Sequence, residues 1–177
     1  MNLKIDGLVL TKNKRIADDR GYLGELLPGG TDNVLAQNGI KNIYLSVATG
    51  SFPRAGHYHH EQVENFFPVT GSVVWAFQDF RESSATFGAV CAVVVTREQS
   101  RYNAIVDPSV TLIDAGEAFI GLTVPTGVYH VYWPLLGETS ETVCVASTPY
   151  NPADYVHIAP DTMPNLMRIV KPILENV

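Results

Sequence analysis

The segment 72–80 constrains this chain more than any other. Val73, Trp75 and Phe77 alternate with Val74, Ala76 and Gln78, a period of two in which both faces are largely apolar. Such a strand needs cover on both sides, as in a sandwich or a closed barrel. Similar runs rich in Val, Ile, Phe, Tyr and Trp recur at 41–47, 63–69, 87–96, 118–124, 128–133 and 142–147, with Gly, Pro, Asn or Asp in most of the gaps. Thr70-Gly71 lies between two of them and reads as a hairpin turn. Helical periodicity is confined to the tail, where Asp161 or Thr162 can cap a segment through Leu166, Ile169, Val170 and Ile173. Pro164 suits its first turn, and Pro172 is expected to interrupt anything longer. Many short strands with regular turns make an all-β chain, a sandwich or barrel with a short helical or irregular tail.

At 177 residues the chain fits one domain, 1–177, with no repeat, linker or low-complexity tract. With 46% hydrophobic and 17% charged residues it is globular. The formal charge is -6 and the basic residues are scattered, which argues against nucleic acid as a partner. The first ten residues mix Asn2, Lys4 and Asp6 into their apolar positions, and no apolar run reaches membrane-spanning length. The expected location is the cytoplasm. Cys91 and Cys144 sit in apolar runs and are expected to be buried free thiols, though spacing alone leaves a disulfide open.

Four of the five histidines fall in two places. His57 and His59 are two apart, so on a strand they leave the same face, and His60 leaves the other. Glu64 follows a turn, at the start of the next strand. His130 follows Pro125-Thr126-Gly127, a turn that begins a distant strand. A lone imidazole is more often a surface or hydrogen-bonded core residue than a ligand. Three imidazoles and a carboxylate, however, suit Mn, Fe, Co, Ni, Cu or Zn, with coordination positions left for water or substrate. His157, in a Pro-rich tail, receives no role.

These segments resemble the two motifs of the cupins, the double-stranded β-helix or jelly-roll barrels. His57-x-His59, then Glu64 and Gly71, fits the first motif from its leading His; Pro125-x-Gly127-x-x-His130 fits the second, with Pro134 at the Asn position that closes it. The resemblance implies a metal site of His57, His59, Glu64 and His130.

A narrower resemblance is to the RmlC-like dTDP-4-dehydrorhamnose 3,5-epimerases. It rests on Asp18-Asp19-Arg20-Gly21 through Glu25, on Arg54-x-x-His57-Tyr58, on Gly71 followed by 73–81 ending Asp79-Phe80-Arg81, and on Pro125 to Tyr132. It implies a nucleotide-sugar substrate held by Arg20, Glu25 and Arg54, His57 as the base, and a homodimer whose chains exchange N-terminal segments. A guanidinium such as Arg54 grips phosphate in a bidentate manner. Here the family's tyrosine acid falls near Cys144, its lysine at Glu64, and its second-position Gln at His59, so the cupin metal set is intact where the epimerases have lost it.

Four readings follow. The first is a metal-dependent isomerase or epimerase of a carbonyl-bearing sugar or sugar nucleotide, with Glu61, Tyr58, Tyr132 or a bound water moving a proton. The second is a metal-free epimerase with His57 as base and Tyr132 or Tyr150 as acid. The third is an iron dioxygenase on the same ligands, and the last a small-molecule-binding cupin without turnover.

Overall fold

The computed structural model describes residues 1–28, 35, 39–116 and 118–175. Two sheets face each other. The first has strand order β1 (Val9–Lys14), β10 (Ala118–Val124), β6 (Glu64–Thr70), β12 (Ser140–Ala146), β4 (Asn42–Ala48). The second runs β13 (Tyr155–His157), β5 (Arg54–His59), β11 (Val128–Pro134), β7 (Val73–Asp79), β8 (Val90–Thr96), β9 (Val110–Asp114). Pairing is antiparallel except between β8 and β9. A small separate hairpin joins β2 (Ile16–Asp18) to β3 (Gly21–Leu23), and both its strands are exposed throughout. This is the jelly-roll barrel expected from the sequence.

The two-faced strand at 73–79 explains the layering. Val73, Trp75 and Phe77 enter the core between the sheets, where Trp75 stacks between Phe66 and Tyr132 at ring distances of 4.4 and 4.3 Å. Val74 and Ala76 face the other way, under the C-terminal helix α1 (Pro164–Glu175). That helix covers the outer face of the second sheet with Leu166, Ile169, Val170 and Ile173, an i, i+3, i+4, i+7 stripe. Burying each of these side chains contributes about 1.5–3 kcal/mol.

Three local expectations need correction. Thr70-Gly71 does not close a hairpin: β6 belongs to the first sheet and β7 to the second, so the turn carries the chain across the barrel. Gly71 has φ 70°, and a Cβ there would lie 2.4 Å from the Thr139 carbonyl oxygen, so only glycine fits this crossing. Pro172 does not end the helix, because it lies on the solvent side, where water can satisfy the carbonyl that loses its partner. Strand β8 starts at Val90, residues 87–89 being spent on the turn whose amides bond back to Ser84, Asp79 and Thr86. Both cysteines are buried and free. No described helix is long and apolar enough to cross a membrane.

Candidate metal centre and its cavity

His57 and His59 project from β5 into the barrel, Glu64 opens β6, and His130 lies on β11 as the direct cross-strand partner of His57. One potential ligand atom from each of the four lies within 4.8 Å of all the others, and all four residues are buried. Glu64 Oε2 is 3.1 Å from His130 Nε2 and 3.3 Å from His59 Nε2, yet neither Glu64 Oε2 nor His130 Nε2 has a hydrogen-bond partner among the described residues. Bonds of about 2.1 Å to one ion in tetrahedral or octahedral geometry require ligand–ligand edges of roughly 3.0–3.4 Å.

The surrounding hydrogen bonds set where the protons are. His130 Nδ1 lies 3.2 Å from the Val128 carbonyl, to which it can donate, leaving its Nε2 lone pair facing Glu64. Thr148 donates to the Gln62 amide oxygen at 2.8 Å, which turns the Gln62 nitrogen toward His59 Nε2 at 3.3 Å. His59 then carries its proton on Nδ1, 3.3 Å from Asp154 Oδ2. Tyr44 donates to Glu64 Oε1 at 2.6 Å, leaving Oε2 as the free oxygen. Ligand atoms of His59, His130 and Glu64 thus converge in a buried space: the Gln62 amide donates to His59 Nε2, while Glu64 Oε2 and His130 Nε2 face each other with no hydrogen-bond partner among the described residues, a condition a divalent cation relieves.

Burial and the mutual contacts of the four groups set their charge states. Burial, reinforced by His130 and His59, pushes the His57 imidazole down to about 3, so it is neutral at ordinary pH with its lone pair available. Burial alone would raise the Glu64 carboxyl, but the imidazoles of His130 and His59 overcome it and hold the group below the usual carboxylate range. Burial, then the Glu64 charge, keeps the Tyr44 phenol protonated.

Beside the cluster is a cavity of about 170 Å³, walled by Tyr44, Ser46, Arg54, His57, Tyr132 and Tyr155 among others. Arg54 and His57 are three apart, an odd spacing that in a regular strand puts them on opposite faces. A bulge brings them together: Ala55 and Gly56 take φ of 65° and 78°, and the pairing of β5 with β11 shifts there. Tyr132 shares a 2.7 Å hydrogen bond with Ser46.

Other residues singled out in the sequence lie elsewhere. Tyr58 faces away from His57 and stacks on Phe80 at 5.4 Å, in the layer beneath the helix. Glu61 is exposed in the loop between β5 and β6. Arg20 is paired with Asp18 at the tip of the β2–β3 hairpin, its side chain 89% exposed, and Glu25 is exposed just beyond the hairpin. None of these four lines the cavity of its own chain. Tyr150 is largely exposed and packs on Tyr155, outside the cavity wall. His60 is exposed, as expected. His157, which the sequence left without a role, pairs across strands with His57, with ring centroids 5.3 Å apart.

Sequence reasoning missed Tyr44, Ser46, Tyr155 and Asp154. The first two share a face with Ala48 on β4, a period-two signal that was present in the run 41–47. Tyr155, edge-on to His59 at 4.4 Å, and Asp154 come from a segment with no local pattern pointing at the barrel.

The two facing sheets give the chain a cupin-like jelly-roll fold, and three imidazoles and one carboxylate point into its barrel. Among solved structures the chain resembles a dTDP sugar isomerase from Desulfovibrio desulfuricans G20, with TM-score 0.75, 16% identity, 94% of this chain and 92% of that one covered. It also resembles ChmJ, a 3'-monoepimerase from Streptomyces bikiniensis, with TM-score 0.72, 20% identity and coverage of 93% and 75%. The rmlC epimerase of Mycobacterium tuberculosis matches at TM-score 0.71, 23% identity and coverage of 93% and 74%. At these identities the likeness is one of fold. No protein-family model matches the sequence. The chain is 30% identical over 152 residues, 84% of its length and 83% of its relative's, to the spore coat polysaccharide biosynthesis protein SpsL of Bacillus subtilis strain 168, and it belongs to that family.

Proposed function

We propose that this protein is a metal-dependent isomerase or epimerase of a carbonyl-bearing nucleotide sugar, acting in the cytoplasm. The observation that carries this reading is the buried convergence of one ligand atom each from His57, His59, Glu64 and His130, with Glu64 Oε2 and His130 Nε2 left without a hydrogen-bond partner among the described residues. His57, His59, Glu64 and His130 would hold one divalent transition metal of the Mn-to-Zn class. When bound, the metal supplies a Lewis acid that stabilises negative charge developing on a carbonyl oxygen.

The chain's own residues divide the remaining work. Arg54, re-aimed by the bulge, binds the diphosphate at the cavity. Tyr132 and Ser46 form a buried hydroxyl pair in the same wall; burial keeps the Tyr132 phenol protonated, so it donates the proton to the substrate carbon beside the carbonyl after a water has carried the first proton from that carbon to solvent. Tyr58, Glu61 and Tyr150 are set aside for that step because they do not line the cavity. His57, with a conjugate acid near 3, is a poor base and a good ligand.

Arg20 and Glu25 reach substrate in this reading only from a second copy. The projecting hairpin exposes Ile16, Tyr22 and Leu23, and β4, an edge strand, exposes Ile43, Leu45 and Val47. Apolar surface of this extent on two elements supports a homodimer in which the hairpin of one chain covers the other.

The test is solvent-proton exchange. A dTDP-4-keto-6-deoxyhexose is incubated with the protein in D2O, with Mn, Fe, Co, Ni or Zn or with a chelator, and deuterium beside the carbonyl is followed by NMR. Exchange that requires metal supports the proposal. Exchange undiminished in chelator transfers the chemistry to a metal-free epimerase. Tight binding with no exchange under any condition identifies a binding protein.

A further inference from the structure

We infer that Asp154 is a positioning residue for the metal centre, fixing both the orientation of His59 and the distance from His59 to Glu64. The inference rests on the proposed metal site and adds to it a residue from a distant part of the chain.

Asp154 ends a short 3-10 turn, Pro152–Asp154, and is buried although it is charged. Its Oδ1 accepts the backbone N–H groups of His60 at 2.9 Å and Glu61 at 3.0 Å. Oδ2 accepts that of Gln62 at 3.2 Å and lies 3.3 Å from His59 Nδ1. These three amides belong to the link between the last ligand on β5, His59, and the first residue of β6, Glu64. One carboxylate therefore sets the shape of the connection that determines how far apart two ligands stand.

The contact with His59 has a second consequence. A negative oxygen beside Nδ1 keeps the imidazole proton there and the lone pair on Nε2, where the Gln62 amide contacts it at 3.3 Å and a cation would replace that contact. The 3.3 Å approach is a contact with a carboxylate and not an aligned hydrogen bond, since His59 Nδ1 has no partner by geometry among the described residues. Tyr155, the next residue in the chain, packs edge-on to the His59 ring and holds its orientation from the other side.

A purely structural role and a positioning role part company in Asp154→Asn. The amide keeps one acceptor oxygen for the loop but loses the charge facing His59. Zn2+ and Co2+ alone are titrated into the apo protein against a competing chelator, with Co2+ absorption reporting ligand geometry and thermal unfolding reporting the fold. The expected result is a loss of roughly 10–100-fold in affinity and an altered Co2+ spectrum in a folded variant. Affinity within twofold of wild type, with an unchanged spectrum, overturns the inference while leaving the metal site standing. Wild-type protein that binds neither ion brings down the metal reading itself. Asp154→Glu, which keeps the charge on a longer arm, is measured the same way if the asparagine variant does not fold; wild-type affinity there also overturns the inference.

Discussion

Replacing Asp79 by Asn should destabilise the barrel more than its position beside a turn suggests. The Asp79 side chain is fully buried at the end of β7. Its oxygens accept from the Arg81 backbone N–H at 3.0 Å, from Arg81 Nε and Nη2 at 2.8 Å each, and from the Ser84 and Thr86 hydroxyls at 2.7 Å each. Asparagine keeps the shape but turns one acceptor into a donor facing other donors, and leaves the Arg81 charge unpaired. Breaking one side of a buried ion pair costs about 3–5 kcal/mol. For a chain of this size, each kcal/mol moves Tm by about 2–4 °C, so a fall of roughly 6–20 °C is expected. The sign with pH follows from the depressed carboxyl. Burial opposes ionisation, but Arg81, Thr86 and Ser84 together hold the group below the ordinary carboxylate range. Its contribution is therefore complete above the unfolded value of about 3.9 and is lost as pH falls through the lower folded value. Thermal unfolding at pH 7 and at pH 3.5 measures both effects. A difference between wild type and variant below 2 °C at pH 7, or one that grows on acidification, would refute the reasoning. The consequence extends to the metal centre, because the Arg81 stem packs against Gly127 in the turn that starts the strand carrying His130.

Tyr44→Phe removes the hydroxyl that satisfies Glu64 Oε1 and should weaken metal binding about tenfold with little change in fold, read by chelator competition. Unchanged affinity would mean that Glu64 orients itself. Burial pushes the Cys91 thiol up to about 12 and the Cys144 thiol higher still, so neither should react with a thiol-specific disulfide reagent at pH 8 until the protein unfolds. Rapid labelling of the native protein at either position would contradict the packing.

What could be read from the sequence was what depends on near neighbours. The two-sided strand at β7, the pairing of His57 with His59 on one face and the helical stripe from Leu166 to Ile173 all follow from periodicity within a dozen residues. What could not be read depends on the three-dimensional path. Thr70-Gly71 has the composition of a hairpin, and only the sheet assignment shows that it bridges two layers. Arg54 reaches the cavity because of a bulge that alternation rules do not anticipate. Asp154 lies 92 to 94 residues from the amides it accepts, with no pattern linking the two segments. Tyr58 and Glu61, adjacent to the ligands in sequence, are separated from the cavity by the strand's two faces and by the loop.

The central claim is the metal centre, and elemental analysis by mass spectrometry tests it most directly. Protein purified without added ions should carry close to one equivalent of a transition metal, and His59→Ala, folded by circular dichroism, should carry almost none. No metal in either sample, or equal metal in both, would contradict the assignment of His57, His59, Glu64 and His130 as its ligands.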